Sequence, residues 1–323
     1  MKSMPALIPQ EVYLLERYTS KEYFIPMRDA WERMIEHAEA CLEVFVNNLP
    51  GDYRGRPLWQ QPDIVWGERV LPNFRETLDS LSDGYIRLTH GDKQALGAAG
   101  HVESDFTGFS RDYSVDWMDE HQVAEAIPDA GELFWKYLGE ALTPASNIET
   151  TITASWPVQF LGSRYQDVRG PLNPPNRWPK YRLDLGVQVS TGQLAPRTGF
   201  YLPMVDQASP QFWIAGNEVF EALVGLNEDG TQYRERMPVN WILIERVPDE
   251  FVDDPLANLL ADKTASVYVD RVPAGAPCPE TGWWYTPART HSRGYFKRGE
   301  TFPNIESSEY GDTFWLWAPD QAG

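Results

Sequence analysis

The feature that most constrains this chain is a repeat inside its second half. Pro196-Arg-Thr-Gly-Phe-Tyr201 recurs as Pro279-Glu-Thr-Gly-Trp-Trp284. A serine follows each threonine by 11 positions, Ser209 after Thr198 and Ser292 after Thr281. The aromatic pairs Phe212-Trp213 and Tyr295-Phe296 follow at 14 and 15. Gly216 and Gly299 follow at 18, each with a glutamate close behind, Glu218 and Glu300. Pro203 and Pro287 follow at 5 and 6. Spacing shared over roughly 20 residues predicts two copies of one small supersecondary unit, at about 181–250 and 265–318, rather than an active-site domain. In each copy the glycine, Gly199 or Gly282, is expected to supply a φ > 0 turn. The aromatics after it are expected to enter a sheet and pack on its core.

Strand patterning supports that division. Tyr181, Leu183, Leu185, Val187 and Val189 alternate with Arg182, Asp184, Gly186 and Gln188, which predicts a half-buried antiparallel strand. Ser266–Asp270 alternates more briefly, and Asn240–Val247 and Thr313–Trp317 close each copy with strands that carry tryptophan. Phe220–Leu223 is expected to form a short helix and Asn227–Gly230 a turn.

The first half carries helical periodicity instead. After Ser20, an N-cap candidate, the apolar positions run Phe24, Met27, Trp31, Met34, Ile35, Ala38, Cys41, Leu42, Phe45 and Val46. Asn47-Asn48-Leu49-Pro50-Gly51 stops that helix, and Pro26 is read as lying near enough its start to cost little. A second helix is predicted over Glu68–Leu88 on Leu71, Phe74, Leu78, Leu81 and Tyr85, made less secure at its end by Asp83-Gly84. Ala98–Asp119 gives no clear periodicity. A last helix is predicted over His121–Leu142, broken or restarted at Pro128 and ended by Pro144. The fold expected is α+β: an acidic helical bundle over residues 1–155, then a mostly antiparallel β region over 156–323.

Charge narrows the partners. The chain has 323 residues with 47 acidic against 28 basic side chains, a net charge of −19. Residues 1–150 hold 26 of the acids and 13 of the bases. Such a surface disfavours nucleic acid and anionic membranes and attracts a basic protein partner; plain solubility is the other reading of the same charge. No apolar run is long enough to span a membrane, and Met1–Glu11 does not read as a secretory signal. The expectation is a cytoplasmic protein whose two cysteines, Cys41 and Cys278, are free thiols.

Catalytic patterns are sparse. His101-Val-Glu103 with Pro277-Cys278 resembles a zinc deaminase pattern, but position 281 is Thr where a second cysteine is required. The sequence contains no HExxH, CxxC, Walker loop, GxGxxG or Gly-x-Ser-x-Gly. No catalytic residue, metal or cofactor is therefore expected. The acidic stretch that includes Asp105, Asp112, Asp116, Asp119 and Glu120 reads as a solvated face, a partner-binding surface or a carboxylate pair for hydrolysis. Trp283, Trp284, Tyr285, Tyr295, Phe296, Trp315 and Trp317 read as core, or as a stacking platform for a glycan or peptide.

One resemblance bears on these alternatives. Cys278-Pro-Glu-Thr-Gly-Trp-Trp-Tyr-Thr-Pro-Ala288, then Tyr295-Phe296-Lys-Arg-Gly-Glu300, Phe302-Pro303, Tyr310-Gly311-Asp312 and Phe314-Trp315, resembles the C-terminal part of bacterial polymorphic-toxin immunity proteins, in particular the paired families called immunity protein 71 and immunity protein 72. The helical half is similar in character, around Trp31-Glu-Arg33. The resemblance implies a helical part followed by a β part, and a non-enzymatic antidote. Its partner would be a cognate toxin domain delivered by type VI secretion or another contact-dependent route and acting in the cytoplasm. The candidate toxin contacts are Asp105, Asp112, Asp116, Asp119 and Glu120.

Overall fold

A computed structural model describes residues 7–162, 165, 168–227, 230–252, 272–286, 292–305 and 313–318. Helices come first and antiparallel sheets second, an α+β chain. Helix α1 spans Pro9–Tyr18 and α2 spans Lys21–Asn47. Ser20 caps α2, its hydroxyl accepting the Tyr23 N–H at 3.2 Å. The predicted stripe is buried from Phe24 to Phe45. Pro26, however, is the sixth residue of α2, beyond the first turn, and cannot donate to the Glu22 carbonyl. Burial of Phe24, Met27, Ala30 and Trp31 around it holds the helix together regardless.

Short helix α3, Pro62–Val65, runs through a π-turn at Trp66–Val70 into α4, Leu71–Thr89. The π-turn carries the buried Trp66, whose ring meets those of Phe109, Trp117 and Phe134 edge-on at 5.3–5.4 Å. Gly84, expected to loosen α4, instead permits close packing. A Cβ there would lie 3.2 Å from the Ala95 carbonyl and 3.3 Å from the Phe24 ring. The stretch without clear periodicity holds α5, Ala99–Asp112. The last predicted helix is split into α6, His121–Ala124, and α7, Ala130–Ile152. Pro144 does not end α7. Ala145, Ile148 and Thr151 beyond it are buried, and that packing offsets the roughly 3 kcal/mol an interior proline costs. Helix α7 lies antiparallel to α2: Asn147 donates to the Tyr23 hydroxyl at 2.8 Å, while Arg33 reaches Glu140 at 2.8 Å.

The sheets confirm the repeat. The first contains β1 (Trp178–Ser190), β2 (Gly199–Pro203) and β3 (Gln211–Trp213). A hairpin of β4 (Ala222–Leu226) and β5 (Tyr233–Met237) precedes its last strand, β6 (Asn240–Val252). The second contains β7 (Val272–Pro273), β8 (Gly282–Tyr285), β9 (Gly294–Phe296) and β10 (Phe314–Trp317). The strand orders, β1-β6-β2-β3 and β7-β10-β8-β9, are the same arrangement twice. Register agrees residue for residue: Gly199 opposes Trp213 as Gly282 opposes Phe296, and Val189 opposes Trp241 as Val272 opposes Trp315. Thr198 Oγ1 accepts the Ala215 N–H at 2.9 Å, and Thr281 Oγ1 accepts the Arg298 N–H at 2.8 Å. The indole of Trp241 donates to the Phe220 carbonyl as that of Trp315 donates to the Pro303 carbonyl.

Several expectations within the repeat are corrected. Gly199 and Gly282 open strands rather than turns. Gly199 is required for packing, because a Cβ there would come within 2.8 Å of the Leu243 side chain. The left-handed glycines common to the two copies are Gly216 and Gly299 (φ 84° and 89°) and, upstream, Gly192 and Gly275 (φ 83° and 84°). The two serines are not equivalent: Ser209 donates to the Pro157 carbonyl, Ser292 to the Thr286 carbonyl. Phe220–Leu223 leads into strand β4, not a helix, since Ala222, Leu223 and Val224 bury themselves against the sheet partner β5 and the core. Leu185 is exposed because the ladder to β6 slips between Asp184 and Gln188, placing it in a bulge. Ser266–Asp270 and Pro287 lie outside the described residues.

The expected boundary near residue 155 marks the passage from helix to sheet, but the compact units are Met1–Val252 and Asp253–Gly323. The first sheet belongs with the helices because α1 is buried against it. Val12 packs on Tyr181, Leu202 and Ile244, and Glu16 accepts the Tyr181 hydroxyl at 2.8 Å and pairs with Arg246 at 3.2 Å. Leu14, Leu15 and Tyr18 pack on Trp156 and Leu161. The second unit has its own core of Val272, Cys278, Trp284, Phe302 and Trp315.

Two predictions follow from this packing. Gly216→Ala should lower the stability of the first unit by about 1 kcal/mol or more in urea unfolding, because alanine is strained at its φ although the surrounding space is open. Glu11, buried in the first turn of α1, has its pKa pushed up by burial to about 7. The folded state thus holds this proton more tightly than the unfolded chain. Its burial costs nothing further below about pH 4.5, and stability falls as pH rises towards 7. Glu11→Gln should abolish that dependence and raise stability at pH 8 by about 3 kcal/mol, measured by urea unfolding across pH 4–8.

Candidate functional site

The five sequence-predicted acids do not form one cluster. Asp105, on α5, is half-buried and accepts the Thr77 hydroxyl at 2.7 Å; burial raises its pKa and that hydrogen bond opposes the rise. Asp112, at the C-terminal end of α5, is exposed, and the neighbouring Arg111 holds its carboxyl below the usual range. Asp119 accepts the Gly131 N–H at 3.2 Å. It thereby serves the start of α7, where Asp129 sits at φ 58° and provides no side-chain cap. Glu120 pairs with Arg56 at 2.9 Å. Asp116, in the 3-10 turn Asp116–Asp119, is exposed. Asp105 and Asp112 share a hollow with Phe74 and Phe109, while Asp116 and Glu120 share another with Trp59, Trp66 and Trp117. The carboxylates are dispersed structural and surface groups, and no pair of the five occupies an enclosed cavity suited to acid–base hydrolysis.

The second hollow, of about 260 Å³, exposes what the sequence reading missed. Leu58 and Trp59, in a 3-10 turn at Leu58–Gln60, are 64% and 73% exposed. They lie on no helical or strand stripe, and that is the signal that could have marked them: two large apolar residues in a loop with no periodic partner. The loop is firmly held. Tyr53 is buried and its hydroxyl donates to Asp63, which also pairs with Arg54 at 2.7 Å. Gln61 donates to the Arg56 carbonyl at 2.6 Å, and Arg56 reaches across to Glu120.

A cleft of about 1070 Å³ lies between α1, α2, α7 and the segment 169–173. Both interior prolines, Pro26 and Pro144, line it. Several of its charges are engaged: Arg33 with Glu140, Glu16 with Arg246, and Arg17 with the Pro171 carbonyl. It presents no convergent catalytic set.

The aromatic set of the second repeat is mainly core. Trp284 and Trp315 are buried around Phe302, with Phe302 and Trp315 stacked at 5.3 Å. Trp283 and Tyr285, half-buried at alternate positions of β8, and Tyr295, 54% exposed, lie away from the core, with Trp283 and Tyr295 meeting edge to face at 5.5 Å and Arg293 over Trp283. A stacking platform that needs Trp284 at the surface is not present.

Structural and surface acids should separate on mutation. Asp119→Ala removes the acceptor at the start of α7 and should cost about 1 kcal/mol in urea unfolding, whereas Asp116→Ala should stay within about 0.5 kcal/mol of the parent.

No protein-family model matches the chain, and neither a curated protein nor a solved structure matches it.

Proposed function

We propose that this chain is an immunity protein that binds and neutralises a basic toxin domain acting in the cytoplasm, delivered by type VI secretion or another contact-dependent route. The carrying observation is the uncompensated acid of the helical part. Arg28, Arg33, Arg54, Arg56, Arg75, Arg87 and Arg111 are each already paired with a carboxylate. The surplus acids, among them Glu36, Glu43, Glu76, Asp79, Asp116 and Glu132, are exposed. A partner with a basic face gains from every one of them. The field steers its approach, and close pairs lengthen the life of the complex. The resemblance of the second repeat to immunity proteins supports the same reading. An inhibitor of this kind needs a rigid scaffold and a complementary surface, and its action rests on binding alone.

Co-expression with the toxin domain encoded beside the gene checks this. The host should survive, and the two proteins should co-purify through a tag on the toxin. Association should slow several-fold between about 50 and 500 mM salt as screening shortens the field. Killing of the host, with this chain eluting alone, would remove the reading.

A further inference from the structure

The Leu58-Trp59 turn has the character of a binding hot spot rather than of a solvated loop. Exposed apolar pairs on a monomer are ordinary when scattered, but Trp59 of this pair lines a hollow together with Pro62, Val65, Trp66 and Trp117. The backbone under it is fixed by the buried Tyr53 and by Gln61, so ordering the turn on binding costs little. The charge beside it is negative. Arg56 already shares itself between Glu120 at 2.9 Å and Asp52 at 3.7 Å. Asp116, which also lines the hollow, is exposed and has no ion pair among the described residues. A volume of about 260 Å³ suits one long side chain. Its apolar stem would lie along the indoles and its cationic head would meet Asp116.

We infer that Leu58 and Trp59 are the apolar anchor of the toxin interface, and that the hollow between Trp59 and Asp116 receives an arginine or lysine side chain of the toxin domain. This rests on the immunity reading above. Trp59 is the residue type that dominates such interfaces, and truncation of a central tryptophan commonly costs far more than loss of a rim charge. Because Trp59 contributes mostly exposed surface, its removal leaves the fold intact.

The test measures dissociation constants of the purified toxin domain for the wild-type chain and for Trp59→Ala, Asp116→Lys and Leu194→Ala. Leu194, 65% exposed between β1 and β2, serves as the control for loss of exposed apolar surface. Melting temperatures of all four are recorded alongside. The expected result is a loss of about 30-fold or more for Trp59→Ala and about 10-fold for Asp116→Lys, with Leu194→Ala within about twofold and all melting temperatures unchanged. Affinity of Trp59→Ala within about threefold of wild type, where wild type binds, would overturn the inference and leave the immunity reading standing. Failure of the wild-type chain itself to bind or protect would sink that reading, and this assignment with it.

Discussion

The first unit depends on the burial of one ten-residue helix on two sides. Helix α1 presents Val12 to the sheet and Leu14, Leu15 and Tyr18 to the segment around Trp156. Its Glu16 is tied to Tyr181 and Arg246, residues of β1 and β6. A ten-residue helix has little stability alone, so these contacts must supply it. They in turn join a helical layer to a sheet that begins about 160 residues later. Removing α1 would expose an apolar strip on the sheet and unseat the Trp156 segment together. The cost of that design is a glutamate buried at the start of the same helix, with its proton held up to about pH 7.

Much of this was legible in the chain, for unequal reasons. The repeat was visible because the positions that set a small sheet are few and discrete: a threonine that caps a turn, a left-handed glycine, paired aromatics. Gly216 and Gly299 occupy equal places in the two copies because no other residue adopts that backbone at low cost. The threonine bonds, to Ala215 and Arg298, sit at the same distance along each copy. What could not be read was which glycine bends and which makes room. Gly199 makes room for Leu243, a residue far away in sequence, and no local pattern encodes that. The same holds for Gly84 against Phe24 and Ala95. Proline misled for a related reason. Its local cost is fixed, but α7 continues past Pro144 because Ala145 and Ile148 reach the core, a gain decided in three dimensions.

The acidic stretch shows where composition stops being informative. Five carboxylates within sixteen positions look alike in sequence, yet each does different work. Asp119 holds the first turn of α7, Glu120 holds the loop through Arg56, and Asp105 holds Thr77. A carboxylate so engaged has spent most of its hydrogen-bonding capacity inside the protein and contributes to a partner mainly through its long-range field. Asp112 is partly neutralised by Arg111. Asp116 and Asp119 are both exposed and without an ion pair among the described residues, but Asp119 is already engaged by the Gly131 N–H.

On the immunity reading proposed above, these two kinds of group would divide the labour of binding. Dispersed charge acts over roughly a Debye length and so governs how quickly a basic partner arrives, but it is screened by salt and holds loosely at contact. Apolar surface acts only at contact, yet its desolvation is insensitive to salt and governs how slowly the partner leaves. An acidic helical layer with a rigid, exposed Leu58-Trp59 turn set into it combines both at one place. An immunity protein, as proposed above, would need the first property to win the encounter and the second to keep it.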